Sequence, residues 1–327
     1  MDSVNLYIVV PCYNEEAVLP ETSSRMLELI KQMRSDGLVN EKSRIVFVDD
    51  GSKDRTWEII DSLTREHTEI AGIKLACNAG HQNALFGGLM TVKDDCDCAI
   101  SIDADLQDDI NVIPEMVRKF IGGCDVVYGV RNKRDTDTFF KRTTAQGFYR
   151  LMQLMGVKMI YNHADYRLMS ARAISALSQF PERNLFLRGM VPLTGFKSDC
   201  VYYDRSERFA GESKYPLKKM LSFAFDGITS FSVSPIRMIS ALGAIVCVIA
   251  VIMGIYTIYE KLAGNTDAGW ASLMMSIWFI GGVQLLSLGL IGEYIGKIYK
   301  ESKRRPRYII EAYVNTPECG EMEDQYV

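Results

Sequence analysis

Positive charge is not in excess in this chain. Its 37 Lys and Arg against 41 Asp and Glu leave a net charge of −4, so it lacks the basic footprint of a nucleic-acid binder, and no nucleic acid is expected among its partners. Histidine is scarce, at three residues, and the eight cysteines are scattered. Cys96 and Cys98 are the one close pair, with no second pair or neighbouring histidine to complete a zinc set. Reduced thiols in a cytosolic compartment follow. No cleavable leader is expected in these residues: Met1 passes almost at once into Leu6-Tyr7-Ile8-Val9-Val10, a run too short and wrongly flanked for one, which reads as the first strand.

What is present in the first half is alternation. Strands are expected at 6–10, 45–48, 73–75, 99–102 and 126–129. Helices are expected at 15–34, opened by Asn14-Glu15-Glu16, and at 56–66, 83–93 and 110–120. Strand and helix in turn predict an α/β fold on a mostly parallel sheet, whose ligands bind beyond the carboxyl ends of the strands. Five such ends carry polar groups: Asn14-Glu15-Glu16, Asp49-Asp50-Gly51-Ser52, Asn78-Ala79-Gly80-His81, Asp103-Ala104-Asp105 and Gly129-Val130-Arg131.

The sharpest of these is 99–109, AISIDADLQDD. Residues two apart in an extended chain point to one side, so Asp103 and Asp105 can face one small volume. Like charges held that close call for a cation between them, and hard oxygen ligands suit Mg²⁺ or Mn²⁺ completed by substrate phosphates. The plainer reading is a solvated acidic loop with a helix cap.

After about Ser213 the composition shifts. Residues 215–231 are amphipathic, led by Lys214, Lys218 and Lys219, as expected of a helix lying on an anionic membrane surface. Two uncharged stretches follow, 238–259 and 268–292, each long enough to cross ~30 Å of hydrocarbon. Basic residues flank the pair on the outside (Arg237 before it; Lys297, Lys300, Lys303, Arg304, Arg305 and Arg307 after it), which places both chain ends in the cytoplasm. Gly281, Gly282, Gly289, Gly292 and Gly296 permit close helix packing and a homo-oligomer. A basic and then acidic tail closes the chain.

These motifs together resemble glycosyltransferase family 2, of GT-A (Rossmann-like) fold, and within it the membrane-bound polyprenyl-phosphate glycosyltransferases. The residues that carry the resemblance are Pro11-Cys12-Tyr13-Asn14-Glu15-Glu16, Asp49-Asp50-Gly51-Ser52-Lys53-Asp54, Asn78-Ala79-Gly80-His81-Gln82 and Asp103-Ala104-Asp105-Leu106-Gln107-Asp108, then Gly129-Val130-Arg131, Asp165-Tyr166-Arg167-Leu168-Met169 and Arg208-Phe209-Ala210-Gly211-Glu212-Ser213-Lys214-Tyr215. Seven motifs stand in family order over about residues 4–310, ahead of a hairpin of spans.

The resemblance implies a cytoplasmic transferase domain over 1–213, an interfacial helix region over 214–233, a transmembrane hairpin over 234–296 and a cytoplasmic tail over 297–327. It implies a nucleotide-sugar site at Pro11, Tyr13, Glu15, Asp50, Asn78, Gln82, Asp103, Ala104, Arg208 and Lys214, with Asp103, Asp105 and Gln107 holding Mg²⁺ or Mn²⁺. It places Asp165 near the sugar and the attacking group, beside Asp105 and Arg131 as catalytic residues; the plainer reading of Asp165 is a buried partner of Arg167. A lipid phosphate already carries ~1.5–2 negative charges and needs cationic positioning rather than a strong base. Arg131 and Arg142 are the candidates for that task. The implied reaction is inverting, metal-dependent transfer of one hexose, with UDP-glucose the leading donor, to undecaprenyl phosphate at the cell membrane. UDP-GlcNAc, UDP-galactose and GDP-mannose are alternative donors, and a non-catalytic membrane scaffold or flippase partner is the rival of another kind. The Gln-x-x-Arg-Trp motif of processive family 2 synthases is absent, and none of Trp57, Trp270 and Trp278 follows an arginine. One sugar per lipid is therefore expected.

Overall fold

Four apolar runs pair edge to edge as the parallel heart of the protein: β1 (Leu6–Cys12), β2 (Arg44–Asp49), β3 (Ile70–Leu75) and β4 (Cys98–Ser101). Such continuous apolar runs are what strands covered on both faces require. The computed structural model describes residues 3–132, 163–183, 185–204 and 269–315, with single positions between 236 and 259. These fall into two compact units, one with the sheet and residues 305–315, the other with the apolar helical residues of 236–304.

In the first unit α1 (Leu19–Ser35), α2 (Thr56–Glu66), α3 (His81–Val92) and α4 (Ile113–Ile121) follow the strands in turn, and β5 (Val126–Arg131) completes the alternating half. Then come β6 (His163–Ser170), α5 (Ala171–Ser178), the one-turn α6 (Leu187–Met190) and β7 (Ser198–Tyr203). The sheet has eight strands in the order β7-β5-β6-β4-β1-β2-β3-β8, where β8 is Ile310–Val314. Only β6 and β8 run antiparallel to their neighbours. This is the α/β, mostly parallel, GT-A-like architecture the sequence leads one to expect.

The sheet separates two apolar layers. Leu6, Ile8, Val10, Ile45, Phe47 and Ile100 pack with Met26, Ile30, Ile60, Met116 and Val117 of α1, α2 and α4. On the opposite face α3 lies so close that a Cβ on Gly88 would come within 2.6 Å of Val9 and 2.7 Å of Val48. All the cysteines among the described residues are free.

β6 and β7 form where no strand is expected, and two further differences in this unit have a clear local cause. First, α1 begins at Leu19 rather than at Glu15. Residues 14–16 are occupied in stitching two loops together: the Asn14 amide donates to Ser52 Oγ, Glu15 to Thr56 Oγ1 and Glu16 to Asp54 Oδ2, while Asn14 Oδ1 accepts from Lys53. Asn14 accordingly adopts a left-handed φ of 54°, which asparagine tolerates. Second, β8 lies in a stretch read as tail. It is held by its pairing to β3, by Arg307 donating to the Phe180 carbonyl, and by the Asn315 amide, 2.6 Å from the Ile70 carbonyl.

In the second unit α7 (Trp270–Ser302) runs ten residues beyond the expected end of the second span, and Leu273, Phe279, Leu285, Leu288 and Ile298 on it are exposed. The described positions from 236 to 259 are helical, and Ile245, Ile252, Ile255 and Tyr259 among them are likewise exposed. The amphipathic region at 214–233 and the connection between the apolar stretches lie outside the described residues.

Candidate active site

The carboxyl ends of β1, β2, β4 and β5 deliver one rim of polar groups, and β6, running the other way, begins there. At the β2 end Asp50 is buried, and its carboxylate accepts the backbone amides of Ala79 at 2.6 Å and Gly80 at 3.0 Å. Burial raises its pKa, and those two amides oppose the rise. The carboxylate therefore holds the loop that carries Asn78, which is itself exposed. Gly51 makes the approach of the two loops feasible: it has φ +64°, and a Cβ there would lie 2.7 Å from the Asn78 nitrogen. Beside it Asp49 keeps one buried oxygen, Oδ2, without a partner among the described residues. Pro11 is buried at the end of β1, whereas Tyr13 beyond it is exposed.

Beyond β4 the chain turns sharply. Leu106 is left-handed at φ 53°, a costly conformation for a leucine, and the Gln107 amide donates to Asp105 Oδ1 at 3.2 Å. Ala104 is buried, and its carbonyl accepts from Thr22. Asp103 faces His81 Nε2 at 3.4 Å. Desolvation raises the Asp103 pKa, the His81 charge lowers it, and the carboxylates of Asp108, Asp165 and Asp105 raise it again. Asp103 and Asp105 thus present carboxylate oxygens close to further carboxylates at Asp108 and Asp165. Carboxylate oxygens fit a hard divalent ion. No three His, Cys, Asp or Glu side chains converge on one point among the described residues, so such an ion would need oxygens from elsewhere to fill its shell.

Arg131, at the end of β5, is partly buried and paired. It donates to buried Asp108 at 2.9 Å and to the Tyr203 hydroxyl at 3.3 Å, and Tyr203 donates to the same Asp108 oxygen. Asp165 is more firmly bound still. Oδ1 accepts from Arg167, and Oδ2 accepts from Gln82 Nε2 at 3.2 Å and Arg188 Nη2 at 3.1 Å. Burial alone would raise its pKa, but Arg188, Arg167 and His81 hold the carboxyl well below the usual carboxylate range.

The structure therefore brings Pro11, Glu15, Asp50, Gln82, Asp103, Ala104, Asp105, Gln107, Arg131 and Asp165 to one rim, with Tyr13 and Asn78 exposed beside them. Arg142, Arg208 and Lys214 lie outside the described residues. Sequence reasoning gave no role to Asp108, Tyr203 or Arg188. Asp108 stood within a quoted motif; Tyr203 and Arg188 carry no local signal, because their partners are remote in the chain.

Comparison with known proteins bears on the family. Residues 7–177 match the model of glycosyl transferase family 2, and residues 234–298 match that of the GtrB C-terminal hairpin. The chain is 58% identical over 306 residues to the uncharacterized glycosyltransferase YkoT of Bacillus subtilis strain 168, covering 94% of this chain and 91% of that one. It is 40% identical over 310 residues to the bactoprenol glucosyl transferase of Shigella phage SfV (94% and 98% covered). Against the prophage bactoprenol glucosyl transferase homolog of Escherichia coli K12 it is 39% identical over 310 residues (94% and 99%).

Proposed function

Because this chain belongs to glycosyl transferase family 2 and carries a GtrB-type hairpin, we propose that it transfers one glucose from UDP-glucose to undecaprenyl phosphate. The transfer takes place at the cytoplasmic leaflet with inversion at the sugar. The names of the phage and prophage relatives support glucose and the polyprenyl acceptor. The exposed apolar residues of α7 and of 236–259 support a membrane anchor, since such surface is stable only when covered, and the basic flanks at Arg237 and at Lys297–Arg307 support two spans with both ends cytoplasmic. The transferase domain then spans 1–213 and the interfacial region 214–233.

The observation that carries the proposal is the state of Asp165. With Oδ1 held by Arg167 and Oδ2 by Arg188 and Gln82, this carboxylate has its acceptor sites occupied and is poorly placed to take up a proton. A sugar hydroxyl as nucleophile would demand a base; a lipid phosphate is already ionised and does not. The phosphate oxygen attacks the anomeric carbon from the face opposite the leaving group. The bond from that carbon to the diphosphate breaks, and the electron pair leaves with UDP. Asp165, its charge paired with Arg167 and Arg188, orients the sugar and the attacking group through its fixed oxygens. Arg131, aimed by Asp108, and Arg142 bind the acceptor phosphate; Arg208 and Lys214 bind the donor diphosphate. Asp50, Glu15 and the strand-end backbone at Pro11 and Tyr13 receive the nucleoside. Asp103, Asp105 and Gln107 would hold Mg²⁺ or Mn²⁺, which when bound supplies charge for the departing diphosphate.

The test is passage of labelled sugar into the organic phase. The full-length protein is mixed with undecaprenyl phosphate and a panel of UDP- and GDP-sugars, with the metal or with EDTA. Label from UDP-glucose, lost with EDTA, is the expected result. Label from a different nucleotide sugar alone would overturn the donor. No label and no shift of melting temperature by UDP would overturn the enzyme reading in favour of a scaffold.

A further inference from the structure

We propose that Arg188 is a positioning residue for Asp165, acting with Gln82 as a clamp that fixes the carboxylate in the orientation sugar transfer uses. The proposal rests on Asp165 facing the reacting sugar. Its basis is a closed ring of contacts between three segments distant in sequence. Gln82 of α3 donates from Nε2 to Asp165 Oδ2 at 3.2 Å, and its Oε1 accepts the Leu187 amide at 3.1 Å. Leu187 opens α6, and the next residue, Arg188, returns to the same Oδ2 at 3.1 Å. Each end of the Gln82 side-chain amide meets a partner of the matching kind, which sets which end is nitrogen.

The ring assigns different work to the two arginines. Arg167 lies two residues along β6 from Asp165 and is fully buried, so this pair belongs to the sheet itself. Losing Arg167 would leave a buried carboxylate with part of its compensation gone. Arg188 comes from another segment and is only partly buried, with 31% of its side chain exposed. Its removal leaves Oδ1 held by Arg167 and Oδ2 by Gln82, so the charge remains compensated. What is lost is the second anchor on Oδ2, the one that comes from α6, and with it part of the restriction on the carboxylate's position. The contact also ties α6, and the 3₁₀ turn Val191–Thr194 after it, to the site.

Reaction geometry is sensitive to such a loss: a misplacement of ~1 Å can cost about 100-fold in rate. Arg188→Met, Arg188→Lys and Asp165→Asn are compared with the wild-type chain in membranes, with labelled donor and polyprenyl phosphate. The expected result for Arg188→Met is a kcat lowered by roughly 10- to 100-fold with the donor KM unchanged, a split that marks loss of transition-state geometry alone. Arg188→Lys, which keeps the charge and one donor, recovers part of the rate at an unchanged melting temperature. If Arg188→Met does not accumulate, Arg188→Lys alone decides, by a lowered kcat at constant KM. A raised KM with intact kcat would mean that Arg188 binds substrate directly and would overturn the clamp, as would an Arg188→Met enzyme of full rate. Full activity of Asp165→Asn would overturn the reading of Asp165 instead, and the clamp with it. No transfer by the wild-type chain from any nucleotide sugar would overturn both.

Discussion

Asp108 and Arg131 form an ion pair that joins the loop after β4 to the end of β5, with Oδ1 2.9 Å from Nη2 and the carboxylate almost wholly buried. The cation proposed for the lipid phosphate is therefore aimed by a buried partner. Asp108→Asn keeps the shape and removes the charge that does the aiming. The expected outcome is a rise of roughly 10-fold in KM for the lipid acceptor, about 1.4 kcal/mol, with the KM for the nucleotide sugar unchanged. Initial rates at varied lipid and fixed donor measure it; an unchanged lipid KM would remove Arg131 from the acceptor site.

Asp105 is partly exposed, and its carboxylate receives the Gln107 amide. Asp105→Asn is expected to lower turnover by more than about 100-fold, because stabilising charge on a departing diphosphate is worth several kcal/mol. The melting temperature of the detergent-solubilised protein should hardly move. EDTA should reproduce the loss in the wild-type chain, and added Mn²⁺ should reverse it there but not in the variant.

Asn315 secures the last strand through a side-chain amide 2.6 Å from the Ile70 carbonyl and 3.3–3.4 Å from those of Thr64, His67 and Thr68. Asn315→Ala leaves these carbonyls short of a donor and is expected to cost about 1–2 kcal/mol. Thermal melting in detergent should show the loss, while kcat at 25 °C stays near the wild-type value.

Asp125 offers a test of pH dependence away from the rim. Its carboxylate receives Arg172, across the sheet edge, and the Ser170 hydroxyl, and the first of these contributes most to holding its pKa below the usual value. A group more acidic when folded stabilises the fold above its unfolded pKa of about 3.9 and ceases to do so as pH falls through the lower folded value. The difference in melting temperature between the wild-type chain and Asp125→Asn should be full and constant from pH 7 to about pH 5, and should shrink below about pH 4. A gap that widened on acidification would contradict the assigned direction.

How much of this was legible in the sequence divides at the middle of the chain. β1 to β5 announce themselves because strands covered on both faces must be apolar throughout, and the polar clusters at their ends mark the rim. β6 hides because it places Asp165 and Arg167 inside: each charge makes the other tolerable there, so the apolar signature is broken by a pair that the sequence offers as a buried partnership without marking the strand that carries it. β8 hides for another reason. Its five residues, IEAYV, become a strand only by meeting β3, more than two hundred positions earlier. The start of α1 was misjudged because Asn14 and Glu16, which look like a helix opening, spend their hydrogen bonds on Ser52, Lys53, Asp54 and Arg55. The carboxylates of the site were visible as a motif. The residues that aim them, Arg188 and Tyr203, were not, since each acts across a fold boundary rather than along the chain.

The position of β8 also sets an order of manufacture. β3 leaves the ribosome by residue 75, and its edge partner follows only at residue 310, after both apolar stretches have been made. Until then the nascent sheet presents an open, apolar edge of the kind that recruits foreign strands. Closing that edge waits on completion of the apolar hairpin, so a chain that stalls or is cut within the hairpin keeps a sticky sheet.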